Sequence, residues 1–178
     1  MPVLTALALT IGVIGGLLTF LSLGPAAATG VQIWAIFIGA ASFFHCGGKE
    51  PGLRTSVINN IFGCAVAWVA LMLVTHVPMA GALGLPAWAG ICVGVMAAVL
   101  VFAANVPALS AIPAGVYGFA STAALALLGK DALGALTVPS MRNPAIAVAV
   151  SLLIGVLYGY VSERITGVLV GGPKAAKA

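Results

Sequence analysis

Six apolar runs, each close to the length that crosses a bilayer, leave this chain of 178 residues few folds to adopt. They cover Leu4–Leu23, Val31–Phe44, Leu53–Thr75, Ala87–Ala104, Pro107–Leu128 and Pro144–Ser162. About 20 consecutive apolar residues span the hydrocarbon core as a helix, and the second run is short of that. In lipid only helices and closed barrels satisfy every backbone N–H and C=O. Helix breakers punctuate the joints: Gly24-Pro25, Gly47-Gly48, Pro51-Gly52, Pro78, Pro86 and Asn105-Val106-Pro107. Pro144 suits a helix start, where its missing N–H costs nothing. Only 6% of the residues are charged, against about 25% in a soluble domain, so a water-facing surface could not be covered. The expected fold is all-α: a polytopic membrane protein with six transmembrane helices in one integral membrane domain over residues 1–178.

The first run could be mistaken for a secretory signal because it leads into Ala26-Ala27-Ala28. It lacks a basic n-region and exceeds the roughly 7 to 15 residues of a signal's apolar core, so it is expected to stay as the first span. The three cysteines, Cys46, Cys64 and Cys92, show no C-x-x-C spacing, which points away from disulfides and metal sites. No cofactor is expected. The net charge of +4 comes from seven Lys/Arg against three Asp/Glu, at the ends of the runs. Such a small excess is a topology signal before it is a ligand signal, and no nucleic-acid partner is implied.

With six spans and both termini cytoplasmic, the inside carries Lys49, Arg54, Arg164, Lys174 and Lys177, and the outside carries Lys130 and Arg142. That satisfies the positive-inside rule. An internal duplication points the same way. Gly39-Ala40-Ala41-Ser42, followed by Gly48-Lys49-Glu50 and Leu53-Arg54, recurs as Gly118-Phe119-Ala120-Ser121, followed by Gly129-Lys130-Asp131 and Met141-Arg142. Three helices per half is an odd number, so the halves, about 1–77 and 86–164, would be inverted relative to one another. Residues 165–178 form a short basic tail. The expected partners are the lipid bilayer, a small-molecule solute and further copies of the chain.

Several stretches resemble the YcdZ-like bacterial inner-membrane proteins of the DUF1097 family. They are Leu4-Thr5-Ala6-Leu7-Ala8-Leu9-Thr10-Ile11-Gly12, Trp34-Ala35-Ile36-Phe37-Ile38-Gly39 with Phe43-Phe44 and Gly47-Gly48, and Ile112-Pro113-Ala114-Gly115-Val116-Tyr117-Gly118. The resemblance runs from about Leu4 to Tyr160. It implies a small multi-pass protein of the bacterial inner membrane and supplies no catalytic or binding residues.

Enzyme chemistry is not expected. Glu50, Asp131 and Glu163 fall at helix ends, His45 and His76 lie on different segments, and no Walker loop or G-x-G-x-x-G is present. Inside the spans are neutral polar groups: Ser42, Asn59, Asn60, Tyr117, Ser121, Thr122, Ser151 and Tyr158. Each either joins helices or faces a wet cavity. Ser and Thr hydroxyls can bond the carbonyl one turn back on their own helix, which favours packing for Ser42, Ser121, Thr122 and Ser151. Asn59 and Asn60 point about 100° apart, so one neighbour cannot hide both, and they could line a polar path. Phe43, Phe44 and His45 read as interfacial anchors or as a narrowed, proton-sensitive pore mouth. Arg54 and Arg142 read as snorkelling residues that fix helix depth or as charged mouths that repel cations. Gly155 and Gly159 form a small-xxx-small ridge for internal packing or a subunit interface. The residues together point to a channel or facilitator for a small neutral or weakly charged solute. The alternative is a non-transporting scaffold or accessory subunit, favoured if the polar positions scatter and disfavoured if they converge.

Overall fold

The computed structural model describes residues 1–171, so Lys174 and Lys177 of the basic tail lie outside the described residues. The described residues form helices and turns with no strand: α1 Val3–Leu23, α2 Ile33–His45, α3 Lys49–His76, a single turn α4 Ala80–Leu83, α5 Leu85–Phe102, α6 Ile112–Leu128 and α7 Pro144–Leu169. Four stretches are long and apolar enough to cross a membrane: Val3–Leu23, Lys49–His76, Leu85–Asn105 and Pro144–Leu169. Helices α2 and α6, with 13 and 17 residues, are shorter.

Local chemistry sets the boundaries. Asn143 caps α7 by accepting the Ala145 N–H at 3.0 Å, with Pro144 in the first turn. Pro86 and Pro113 take the same first-turn position in α5 and α6. Three boundaries differ from the sequence reading. Helix α3 begins at Lys49 rather than Leu53, because Gly47, Gly48 and Lys49 all adopt positive φ and turn the chain within three residues. Pro51 then falls in the first turn, where it is tolerated, and Arg54 lies in the second turn of the helix. The fifth run is split, with Pro107–Leu109 forming a separate 3₁₀ turn ahead of α6. Helix α7 continues past Ser162 to Leu169, carrying Glu163 and Arg164 on its surface.

Helices α2, α3, α6 and α7 make the centre. The main packing partner of α2 is α7, that of α3 is α6, and α3 also meets α7. Helix α1 lies on the outside against α7, and α5 lies on the outside against α3. Only 17% and 11% of the α1 and α5 apolar windows are buried, against 44% and 50% for α3 and α7, so the outer pair leaves most of its apolar surface uncovered by the rest of the chain.

Glycine brings the two central seams together. A side chain at Gly39 would strike the Leu152 carbonyl of α7, and one at Gly155 would strike the Ile36 carbonyl of α2. On the other seam, Gly118 approaches the Asn60 carbonyl of α3 and Gly63 approaches the Gly115 carbonyl of α6. The Gly155–Gly159 ridge is thus taken inside the chain, with Gly159 under the Phe43 ring. Close approach of this kind replaces the hydrophobic drive that lipid does not supply.

Candidate functional site: a polar layer in the helix core

Neutral polar side chains from three central helices meet in the interior. Ser42 of α2 donates from Oγ to Asn60 Oδ1 of α3 at 3.1 Å, rather than bonding back along its own helix. Asn60 is 1% exposed, and its Nδ2 has no partner. Thr122 of α6 is fully buried and its Oγ1 makes no hydrogen bond of ordinary geometry, although the Cys64 thiol lies beside it. Cys64, one turn beyond Asn60, points its Sγ at the Gly118 carbonyl at 3.6 Å. Ser121 is also buried on α6. Burying an amide or hydroxyl without a partner costs about 1–3 kcal/mol, so these two atoms call for a physical explanation, as does Ser162 Oγ of α7, which is also buried without a partner.

Asn59 has a different role from its neighbour. Its Nδ2 donates to the Thr55 carbonyl at 2.8 Å and to the Ala108 carbonyl at 3.1 Å, tying α3 to the turn before α6. Ser151 follows the packing pattern: it bonds back to the Ala147 carbonyl at 2.7 Å and accepts the Gln32 N–H at 2.9 Å. A cleft of about 450 Å³ between α3, α7 and the loop after α6 reaches Cys64, but neither Asn59 nor Asn60 lines it.

The aromatic cluster at the end of α2 divides. Phe43 is fully buried, edge-on to Phe44 at 5.1 Å and to Tyr160 at 6.1 Å. His45 is exposed and its Nδ1 lies 2.9 Å from the Tyr117 hydroxyl, so α2 and α6 are joined at the surface by two of the predicted residues. At the other end, Leu136 from the loop after α6 is buried against Leu71 and Ala126, and its carbonyl accepts from Trp68 Nε1 and Asn143 Nδ2, both at 2.7 Å. Arg54 and Arg142 are both exposed. Among the described residues the one salt bridge is Glu50–Arg164 at 2.7 Å, with Tyr160 bonded to both groups.

Some of the residues that hold this arrangement carry no signal in the sequence. The Glu163 carboxylate accepts the Lys49 N–H at 2.7 Å and fills the space beside Gly48, docking the α2–α3 corner on α7. Thr10 and Thr166 bond at 3.0 Å across α1 and α7, and Tyr158 donates to the Ile11 carbonyl at 2.7 Å. A solitary Thr or Glu separated from its partner by more than a hundred positions has no local pattern to reveal it. Cys46 lies at the corner, where burial pushes its thiol above the ordinary range despite a hydrogen bond with Ser42. Among the described residues no group of three or more His, Cys, Asp or Glu could hold a metal ion.

No curated protein and no solved structure matches the chain. Residues 8–167 match the family described as "Protein of unknown function (DUF1097)", and the chain, an all-helical protein with apolar helices of membrane-crossing length, belongs to that family.

Proposed function

We propose that the chain is a six-span protein of the bacterial inner membrane, built as an inverted three-plus-three repeat with both termini cytoplasmic. In this reading it is non-enzymatic and passes a small neutral or weakly charged polar solute. The repeat is supported by the exchange of packing partners: α2 meets α7 as α6 meets α3, and α1 lies on α7 as α5 lies on α3. It is supported residue by residue as well. The shift that carries Ile36 onto Gly115 also carries Gly39 onto Gly118 and Ser42 onto Ser121, and one further shift carries Asn60 onto Leu152 and Gly63 onto Gly155. With three crossings per half, such a two-fold axis lies in the membrane plane.

The transport reading rests on one observation above the rest: Asn60 Nδ2 and Thr122 Oγ1 are buried without partners in a layer that also holds Ser42 and Cys64. A transiting hydroxyl or amide would complete these bonds, and the layer holds no titratable carboxylate for proton coupling. Copies of the chain would associate through α1 and α5, whose Gly12, Gly16, Gly90 and Gly94 have nothing within 4 Å.

The test is swelling of liposomes containing the purified protein, challenged with urea, small amides, polyols and monocarboxylates. Solute-selective swelling that falls when Asn60 is replaced by Leu is the expected result. Swelling no faster than in empty liposomes for every solute would leave the scaffold reading in its place.

A further inference from the structure

We infer that the outer corner between α6 and α7 forms a binding site for a small monovalent anion of the carboxylate class. The corner encloses a cavity of about 230 Å³ whose wall includes Gly30, Gln32, Lys130, Asp131, Met141 and Arg142.

The charges in the wall are unbalanced. Lys130, Asp131 and Arg142 all line the cavity and are exposed, and neither cation forms a salt bridge with Asp131. Two cations against one carboxylate leave a single positive excess, which a monovalent anion neutralises and a dianion overshoots. Gln32 supplies a neutral wall, because its amide is already engaged: Nε2 donates to the Gly30 carbonyl at 2.9 Å and Oε1 accepts from Trp34 at 3.2 Å. Asp131 is held at φ 57, a left-handed conformation that Asp tolerates better than most residues.

The corner is also pre-organised. Its loop is pinned by buried Leu136, whose carbonyl receives the Trp68 and Asn143 hydrogen bonds, and the cavity floor is fixed by the Gln32 N–H to Ser151 Oγ. The anchored loop fixes where the two cations are attached, so backbone ordering adds little to the cost of binding. Binding here does not require the chain to transport anything, so it stands or falls separately from the solute path.

A lipid phosphate offers the same anionic oxygens, and the experiment separates the two sources. The detergent-purified full chain is titrated calorimetrically with sodium acetate and, separately, with inorganic phosphate, at constant ionic strength. The acetate titration is repeated in nanodiscs of phosphatidylcholine with and without phosphatidylglycerol. Saturable acetate binding is expected in detergent and in both nanodiscs. It should weaken roughly tenfold in Arg142→Gln or Lys130→Gln, the loss of one charge-assisted hydrogen bond. It should vanish in the double variant while the thermal unfolding midpoint stays unchanged. Arg54→Gln, which removes the same charge from another corner, should bind acetate normally. No saturable acetate binding, equal weakening by Arg54→Gln, or displacement of acetate by phosphatidylglycerol would overturn the site.

Discussion

Asn59 and Asn60 are neighbours in sequence with opposite environments. The amide of Asn59 holds two carbonyls, whereas that of Asn60 is left with a free donor. Asn59→Leu is therefore expected to lower the thermal midpoint in detergent while flux per folded molecule is kept. Asn60→Leu should do the reverse, because it removes the single bond to Ser42 and the buried orphan together. Membrane hydrogen bonds average about 0.6 kcal/mol, so neither change should prevent folding, and both quantities can be read on the same preparation. Equal loss of flux in the two variants would show that adjacency, not bonding pattern, governs the effect. The divergence of these amides was legible from helix geometry alone. Which of them would be satisfied was not, because the partners, Ala108 and Ser42, come from other elements.

Helices in this chain are specified by where glycine allows contact. A methyl added at Gly118 or Gly155 would meet a backbone carbonyl that cannot move aside, so Gly118→Ala and Gly155→Ala should each cost about 1–3 kcal/mol in detergent unfolding. Gly12→Ala on the outer face of α1 has open space and should be neutral or slightly stabilising. If all three behave alike, the seams are not held by close approach. The α2–α3 corner gives a second case. Glu163→Ala removes the acceptor of the Lys49 N–H, and a loss of about 0.5–1.5 kcal/mol is expected, with faster proteolytic cleavage near Gly47 as the local readout. The sequence breakers marked this joint, but the start of α3 moved four residues because a side chain of α7 supports the positive-φ turn. The fifth run was split for a related reason: Pro107 and Pro113 each begin a turn, and only the second continues as helix.

For the whole molecule, the positive-inside count predicts that the loop from Lys130 to Arg142 faces outward and the C-terminal tail inward. Ala132 is buried in that loop, so the exposed Ser140 is the better probe. On a background with Cys46, Cys64 and Cys92 replaced, a cysteine at Ser140 should be modified by an impermeant reagent from outside. One at Ala175, in the tail outside the described residues, should be spared. The opposite pattern would invert the molecule and put the anion corner in the cytoplasm. The exchange of packing partners between the halves survives either outcome, because it depends on which helices touch and not on which way they face.

By itself the sequence determined the element type, because runs of bilayer length with almost no charge favour backbone structures that satisfy themselves. It also carried the similar Gly-x-x-Ser segments at Gly39 and Gly118, whose glycines are among those buried in the two seams. Tertiary structure decided the rest: that α2 packs chiefly on α7 and α6 on α3, that the Asn59 amide N–H groups are bonded while that of Asn60 is not, and that Lys130 and Arg142 share one cavity. These are contacts between distant segments. In a chain made largely of Ala, Gly, Leu and Val, the local pattern is too uniform to say which segment meets which, and the choice falls to a handful of close approaches and buried polar atoms that appear only once the helices are packed.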